Sequence, residues 1–428
     1  MSRPEPEPPY IFCKLSYGLL DVKTLKFNED GQGVNALCHI STYCKIMKLE
    51  PHNGLALPCF VDEAQKREER QSLIKEVTAF IARNNIYGLD LESPWLSKVL
   101  AAYEQPHRHF HTLAHLGDIC RLIEENVVDS AELRGKLMLT ALFHDVVWVP
   151  QGDDSEDQSV AAFDFIIGHY NLPIPAAVRQ EVSLAILSTK AQSSENELGN
   201  RFHEFDCHVI LRGSPIDLLA YEFQIFREFQ YLNMLDYRKG RREFFSRFSR
   251  RFPQCRDNMN FLIDYLERRR PRVGIYGGTF NPFHIGHLSI LEKAEQMFDK
   301  VIVAVGINPA KQIKRDPHIE KDLPFHEVVY FDTLMVDFVA MESTFADVTL
   351  VRGLRNGYDL DYEMNQLCFM QQMMPGIRTV YLPCDKHLEH VSSSALNSLA
   401  TFNVQGRDSI YYPKKFHYYN YSIEELFA

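Results

Sequence analysis

Residues 272–287, with the sequence RVGIYGGTFNPFHIGH, contain several groups that could contact a phosphate. The apolar run 273–276 predicts a buried parallel strand, and Gly277 and Gly278 follow it directly. Residues 288–298 then carry apolar side chains at helical spacing. Glycine lets the backbone approach a phosphate, and a helix N-terminus presents unpaired N–H groups at the positive end of its dipole. The order strand, glycine turn, helix therefore predicts an anion-binding cradle.

Two histidines stand at the start of the predicted helix. His284 and His287 are three positions apart, so their side chains lie on one face of the first turn. An imidazole at this place can donate to phosphate oxygens that gain charge during phosphoryl-type transfer. The alternative is a tight turn with helix-capping histidines, but the two glycines, Thr279 and the HxGH sequence together favour the phosphate site.

A second set of candidate ligands lies in the region 69–270. His144 and Asp145 are adjacent near the end of an apolar helix, where a buried charge is costly unless a metal or a partner compensates it. With His115 before them and Asp206 after them, the set offers two imidazoles and two carboxylates. Such mixed ligation suits one or two divalent metal ions (Mn, Fe, Co or Ni, with Mg also possible).

Composition limits the class of protein. The length of 428 residues predicts two or three domains, and the net charge of −11 disfavours general nucleic-acid binding. No run approaches the roughly 20 apolar residues of a membrane span, and the first residues lack the layout of a signal peptide. Nine scattered cysteines without a CxxC pair indicate reduced thiols. We therefore expect a cytoplasmic protein without nucleic-acid or membrane partners.

The chain divides into three predicted parts. Residues 1–68 form an N-terminal segment to which we assign no chemistry. Residues 69–270 repeat apolar positions at three and four, which predicts an all-α domain, and the basic stretch 238–251 is interpreted as an amphipathic helix. Residues 271–428 alternate strand and helix, which predicts a Rossmann-like, doubly wound parallel sheet. Since Pro271 ends the preceding helix, we expect two independent cores.

The predicted strands of the third part are 301–306, 326–331, 347–355 and 378–383, in addition to 273–276. Ligands of doubly wound sheets bind at the carboxyl ends of the strands. The polar and apolar candidates fall at or just after such ends: Thr279, Lys311, Leu334, Arg352, Arg355, Ser392, Ser393 and Ser394.

Residues from about 95 to 256 resemble the HD-domain metal-dependent phosphohydrolases. The shared features are an HTxxH start, the His-Asp pair after an apolar helix, a Glu-Asp-x-Ser loop, a Thr-Lys pair and a Glu-Phe-Asp segment. The resemblance implies that the metal ligands are His115, His144, Asp145 and Asp206. His111 lies one turn before His115, and this position predicts that it supports the ligands from behind. The resemblance also implies that Glu156, Asp157 and Lys190 line the site to activate water or contact phosphate; the alternative is that they are ordinary surface charges.

The sequence GGTFNPFHIGH resembles the (T/H)xGH nucleotidyltransferases, which join ATP to a phosphorylated metabolite and release pyrophosphate. The segments VRGLRNGYDLDYEMNQL (351–367), MMPGIRTVYLP (373–383) and VSSSALNSLA (391–400) closely resemble the bacterial phosphopantetheine adenylyltransferases. This resemblance covers nearly all of residues 272 to about 412. It implies transfer of an adenylyl group from ATP to 4′-phosphopantetheine, with Mg²⁺ accompanying ATP and a homo-oligomer formed through this domain.

The same resemblance implies a role for each candidate residue. Thr279 and Lys311 would hold the acceptor phosphate and the transferred α-phosphate, His287 would donate to that α-phosphate, and His284 would lie beside it. Arg355 would bind the β- and γ-phosphates with Ser392, Ser393 and Ser394, and Gly278 and Phe280 would belong to the ATP-binding turn. Arg352 would face the acceptor phosphate, Leu334 and Met335 would contact the pantetheine arm, and Asp359 and Glu363 would hold the nucleotide or order the arginines.

Two departures from the family pattern leave the acceptor open. Asn281 stands where the family usually has aspartate, and residues 313–324 form a shorter segment, interrupted by Pro317 and Pro324. One alternative is an adenylyltransferase that acts on nicotinate or nicotinamide mononucleotide. Another, from a different class, is a regulator that senses a nucleotide or coenzyme A without turnover.

Overall fold

The computed structural model describes residues 11–12, 19–20, 63–191, 196–307, 318–355, 357–402 and 407–428. The predicted N-terminal segment therefore lies largely outside the described residues. Its described part consists of β1 (Ile11–Phe12) and β2 (Leu19–Leu20), which pair antiparallel, and of residues 63–68, which form the start of the first helix, Glu63–Asn84. In the described ranges, no helix combines the length and the apolar composition that crossing a membrane would take.

The predicted helical region forms two hydrophobic cores. The helices of the first core are α1 (Glu63–Asn84), α2 (Pro94–Ala102), α3 (Leu113–Asn126), α4 (Ala131–Phe143), α5 (Ser155–His169), α6 (Ala176–Ala191) and α7 (Glu197–Asp206). Those of the second core are α8 (His208–Arg212), α9 (Pro215–Glu228), α10 (Met234–Arg251) and α11 (Arg256–Arg268). Helix α4 is buried from Leu137 to Phe143, so it carries the next two residues, His144 and Asp145, into the protein interior.

The basic stretch 238–251 belongs to α10. Phe245 and Phe248 are buried on this helix, whereas Lys239, Arg242 and Arg247 are exposed. The prediction of an amphipathic helix is confirmed.

The C-terminal region contains a five-stranded parallel sheet. Its strands are β3 (Arg272–Gly278), β4 (Lys300–Gly306), β5 (Glu327–Phe331), β6 (Asp347–Leu354) and β7 (Thr379–Pro383), in the order β5-β4-β3-β6-β7. The described helices after β3 are α12 (Ile285–Met297), α13 (Ile319–Asp322), α14 (Met335–Glu342), α15 (Gly357–Met373), α16 (Ser393–Ala400) and α17 (Ile423–Phe427). Hydrophobic clusters cover both faces of the sheet. The prediction of a doubly wound sheet is confirmed, with the topological switch point between β3 and β6.

The last helix departs from the expectation of two independent cores. Phe427 of α17 is only 2% exposed and belongs to the first helical core. Two backbone oxygens of the last residues also accept hydrogen bonds from the helical region. Lys98 Nζ donates to Ala428 O at 2.5 Å, and Tyr170 OH donates to Phe427 O at 3.0 Å. The chain thus leaves the parallel sheet and returns to the helical region.

A buried lysine joins the two regions a second time. Lys300, at the start of β4, lies 2.9 Å from Glu327 Oε2, and its Nζ donates to the backbone oxygens of Gln230 and Leu232. Its side chain is fully buried.

Replacement of Lys300 by methionine is expected to lower the free energy of unfolding by about 3–5 kcal/mol, because the Glu327 carboxylate loses its buried counter-ion. Guanidinium unfolding followed by circular dichroism measures the change. The control is Lys386→Met, at an exposed position of the same region. Equal unfolding midpoints for the two variants would show that the Lys300 contacts do not stabilise the protein.

Candidate functional site

The glycine turn and the first turn of α12 form the predicted phosphate cradle. His284 is the N-cap of α12, and its Nδ1 accepts a hydrogen bond from the Gly286 N–H at 3.1 Å. The Nδ1 of His287 accepts from the His284 N–H at 3.3 Å. The two rings stack with their centroids 3.6 Å apart. Because Nδ1 of each neutral ring is an acceptor, the proton of each ring is on Nε2.

Both rings are neutral at physiological pH. Burial, with a further contribution from Arg355, lowers the pKa of His284 to about 4. Burial also lowers the pKa of His287 well below its usual value, assisted by His284 and Arg355. The turn therefore offers two Nε2–H donors that need no change of protonation before they contact an anion.

Packing explains the two glycines before these histidines. A Cβ on Gly277 would lie 2.4 Å from the Met335 Cε atom, and a Cβ on Gly278 would lie 2.7 Å from the Phe280 ring. Phe280 has a φ of 42° and is 2% exposed, so its ring occupies the space beside the turn. Thr279, between Gly278 and Phe280, is exposed and accessible to a ligand.

The two predicted arginines are held by the two predicted carboxylates. Arg352 makes two 2.6 Å hydrogen bonds to Glu363, and its Nη1 donates to Gly277 O at 2.8 Å. Arg355 donates from Nε and Nη2 to Asp359, each at 3.0 Å. Of the two roles predicted for Asp359 and Glu363, these contacts match the ordering of the arginines.

The three serines lie beside the cradle. Ser392 caps α16, with its Oγ accepting from the Ala395 N–H at 3.2 Å. Ser393 Oγ donates to Pro282 O at 2.9 Å, which joins the start of α16 to the turn after β3. Ser394 is exposed in the first turn of α16. The N-termini of α12 and α16 therefore converge at the carboxyl edge of the sheet, as needed for a polyphosphate site.

The structure describes only some of the other residues that were predicted to contact the substrates. Leu334 is exposed before α14, and Met335 contacts the Gly277 turn. Lys311 and the first part of the segment 313–324 lie outside the described residues. A connection missed by the sequence analysis holds α12 to the end of β7: Asp385 accepts from Ser289 Oγ at 2.9 Å and pairs with Lys293 at 2.9 Å.

Three of the four predicted metal ligands, His115, His144 and Asp206, offer ligand atoms that lie within 4.8 Å of one another, and Asp145 lies beside His144. His115 Nε2 lies 3.1 Å from Asp206 Oδ1, and His144 Nε2 lies 3.0 Å from Asp145 Oδ2 and 3.6 Å from Asp206 Oδ1. Adjacent ligand atoms of an octahedral ion with about 2.1 Å bonds are about 3.0 Å apart. His144 Nδ1 is 2.9 Å from Ala141 O and must donate to it, so the lone pair of the neutral ring is on Nε2, facing the carboxylates.

The electrostatics of this cluster favour a cation. Burial would lower the pKa of His144, but Asp145 and Asp206 overcome that effect and raise it to about 10. Burial would raise the pKa of Asp206, whereas the imidazoles of His115 and His144 hold it well below its usual value. The buried Asp145 and the partly buried Asp206 carboxylates thus demand positive charge, which either a proton on His144 or a divalent ion can supply. The donor set fits such an ion.

His111 is positioned by a residue that the sequence analysis missed. Its Nδ1 lies 2.6 Å from Glu228 Oε2, while its Nε2 lies 4.0 Å from Asp145 Oδ2. Glu228 Oε1 also accepts the backbone N–H groups of residues 109, 110 and 111, at 2.7, 2.7 and 2.9 Å. Burial alone would raise the pKa of Glu228, but His111 lowers it to about 2. The sequence feature that could have indicated this role is a glutamate within the apolar pattern of α9.

The three residues that were predicted to line the metal site differ in their exposure. Asp157 and Lys190 form an exposed ion pair at 3.2 Å. Glu156 is half-buried, and burial raises its pKa, with a smaller contribution from Asp145. A predicted metal ligand therefore contributes to the electrostatic environment of Glu156.

Comparison with known proteins shows to which family the C-terminal domain belongs. The cytidylyltransferase-like family profile matches residues 275–398. A phosphopantetheine adenylyltransferase of Caldanaerobacter subterraneus subsp. tengcongensis is 34% identical over 139 residues, which are 31% of this chain and 85% of that protein. The Clostridium perfringens protein of the same name is 38% identical over 140 residues (31% and 84%), and that of Aquifex aeolicus is 33% identical over 136 residues (30% and 82%). Through its C-terminal domain, the chain belongs to the phosphopantetheine adenylyltransferase family of cytidylyltransferase-like proteins.

Proposed function

We propose that the C-terminal domain transfers the adenylyl group of ATP to 4′-phosphopantetheine, giving dephospho-CoA and pyrophosphate. The observation that carries this proposal is the pair of neutral Nε2–H donors on His284 and His287, at the N-terminus of α12 and next to that of α16. The likeness to adenylyltransferases over most of their length supports it. Mg²⁺ accompanies ATP and neutralises part of its phosphate charge.

The proposed chemistry requires two anions to approach each other in line. The acceptor phosphate attacks the α-phosphate of ATP, and pyrophosphate leaves on the opposite side. His287 donates from Nε2 to the α-phosphate as negative charge develops there. Arg355 and the α16 N-terminus bind the β- and γ-phosphates, and Thr279 and Lys311 hold the acceptor phosphate.

Pyrophosphate release tests the proposal and separates the alternatives. The purified full-length chain is supplied with Mg²⁺, ATP and one of three acceptors: 4′-phosphopantetheine, nicotinate mononucleotide or nicotinamide mononucleotide. We expect release with 4′-phosphopantetheine and formation of dephospho-CoA. Faster release with a mononucleotide would overturn the acceptor and retain the chemistry. Tight binding of dephospho-CoA without any pyrophosphate release would favour the sensor.

We propose, as a second activity, that the helical region binds a divalent metal ion through His115, His144, Asp145 and Asp206 and hydrolyses a phosphate ester. This proposal rests on the positions of the His115 and His144 Nε2 atoms, which face the carboxylates of Asp145 and Asp206. When bound, such an ion polarises a phosphate and lowers the pKa of its bound water. His111, held by Glu228 and facing Asp145, is placed to hold or transfer a proton at Nε2.

We also propose that the chain self-associates through its C-terminal domain. Helix α15 exposes Tyr362, Phe369 and Met373 by 62, 63 and 53%, and their spacing of seven and four places them on one helix face. An exposed apolar stripe of this kind marks an interaction surface.

The variant Phe369→Asp is expected to shift the mass measured by light scattering towards the monomer, because it introduces a charge into that apolar stripe. Gln371→Asp, at an exposed position on the opposite side of the helix, serves as the control and should keep the wild-type mass. A monomeric wild type would overturn the proposal.

A further inference from the structure

A second group of metal-binding atoms lies beside the cluster described above. His203, Asp206 and Cys207 occupy the last turn of α7 and its C-cap, so their spacing of three and four places them on one face of the helix. One ligand atom from each of the three lies within 4.8 Å of the other two. His203 is 2% exposed, and Asp206 and Cys207 are partly buried. The group is therefore set into the protein and is not a surface cluster.

Asp206 divides its two carboxylate oxygens between the two clusters. Its Oδ1 faces His115 Nε2 at 3.1 Å and His144 Nε2 at 3.6 Å. Its Oδ2 lies 3.8 Å from Cys207 Sγ. A carboxylate with its oxygens directed to two different ligand groups can bridge two cations.

The distances match those of a tetrahedral site. With metal–sulfur bonds of about 2.3 Å and metal–nitrogen or metal–oxygen bonds of about 2.1 Å, the sulfur and the lighter ligand atom are about 3.6 Å apart. Cys207 Sγ lies 3.5 Å from His203 Nδ1 and 3.8 Å from Asp206 Oδ2. Both distances from the sulfur are therefore within a few tenths of an ångström of those of a tetrahedral site, and the ligand atoms of all three residues lie within 4.8 Å of one another.

We propose that His203, Asp206 and Cys207 form a second cation site, which shares Asp206 with the first and takes a borderline-soft ion such as Zn²⁺ or Co²⁺. A thiolate and an imidazole favour such ions, whereas Mg²⁺ and Ca²⁺ prefer oxygen ligands. On binding, the ion replaces the thiol proton of Cys207, which leaves to solvent, and a metal–sulfur bond forms. Because Asp206 is shared, this site rests on the proposed metal centre of the helical region.

Charge is consistent with this assignment. The carboxylates of Asp145 and Asp206 and the Cys207 thiolate together supply three negative charges, which offset most of the charge of two divalent ions when the imidazoles are neutral. Arg251 is the positive charge that acts on both His203 and Cys207. Burial and the Asp206 carboxylate nevertheless raise the pKa of the Cys207 thiol well above its usual value. The Arg251 guanidinium is itself directed to Asn200 Oδ1 and to the face of the Phe252 ring.

The test is a Co²⁺ titration of the full-length protein after removal of bound metal, followed by optical absorption and by metal analysis. We expect two equivalents of cobalt, of which one produces a sulfur-to-cobalt charge-transfer band in the near ultraviolet. Cys207→Ser should bind one equivalent and lack the band. Cys368→Ser, which changes an exposed thiol, is the matched control and should retain both equivalents and the band.

The charge-transfer band distinguishes this site from the first. Cobalt binding to the wild type without a charge-transfer band overturns the second site and leaves the first. A band that survives in Cys207→Ser assigns the sulfur ligand to another cysteine and also overturns the proposal. If no cobalt binds, both sites fail. Because the wild-type spectrum alone can contradict the proposal, the result does not depend on the folding of the variant.

Discussion

Replacement of His287 by alanine is expected to lower kcat for adenylyl transfer about 10²–10³-fold and to change the KM for ATP much less. The reason is that the Nε2–H donor opposes charge that develops on the α-phosphate only as the reaction proceeds. The tautomer follows from the structure, since His287 Nδ1 accepts from the His284 N–H at 3.3 Å and leaves Nε2 as the donor. Steady-state kinetics with ATP and 4′-phosphopantetheine measures the two parameters separately.

The same variant loses a cap of α12, so stability must be measured beside the rate. His387→Ala, at an exposed position of the same domain, is the control and should keep both kcat and the melting temperature. A His287→Ala enzyme that melts like the wild type but turns over slowly supports the donor role. Turnover equal to that of the wild type would contradict it. Because the pKa of His284 is about 4 and that of His287 is also lowered, neither ring should titrate in rate profiles near neutral pH.

Replacement of both His144 and Asp145 by alanine is expected to abolish Mn²⁺ binding by the helical region and any phosphate-ester hydrolysis. The pair supplies one imidazole and one carboxylate of the four proposed ligands, and His144 Nε2 faces both carboxylates of the cluster. Mn²⁺ is the suitable probe because it accepts nitrogen and oxygen ligands and has little preference for a thiolate. Metal analysis and a phosphatase assay with a panel of phosphate esters give the two measurements.

The matched control is Asp264→Ala/Arg268→Ala, which removes an ion pair on the surface of α11. It should keep both metal binding and hydrolysis. Adenylyl transfer should change little in either double variant, because the metal cluster and the α12 turn belong to different cores. If wild-type protein, prepared without chelators, contains no metal and takes up neither Mn²⁺ nor Co²⁺, the hydrolase proposal fails.

The local architecture of the phosphate cradle could be predicted because its signals lie close together in the chain. An apolar run, two glycines and a helical repeat predicted β3, its turn and α12, and the structure has these elements at 272–278 and 285–297. The later strands were predicted from the alternation of strand and helix patterns in residues 271–428. The sequence likewise supplied the ligand types His115, His144, Asp145 and Asp206, since a histidine and a carboxylate after an apolar helix are unusual without a partner.

Other features depend on residues that are distant in the chain, and no local pattern contains them. Glu228 reaches His111 across 117 positions, Lys300 reaches the carbonyls after α9, and Phe427 fills the first helical core. The last helix departs from the expectation of independent cores for this reason, because a short amphipathic helix shows which face is buried but not what covers it.

The sequence by itself therefore determined the kinds of elements, their order along the chain and the residue types available for chemistry. Only the tertiary structure decided which nitrogen of each histidine carries the proton, and which carboxylate holds which arginine. It also decided that Asp206 faces two ligand groups at once. Spacing along one helix fixes which side chains share a face, but donor and acceptor roles depend on the atoms that packing brings from elsewhere in the chain.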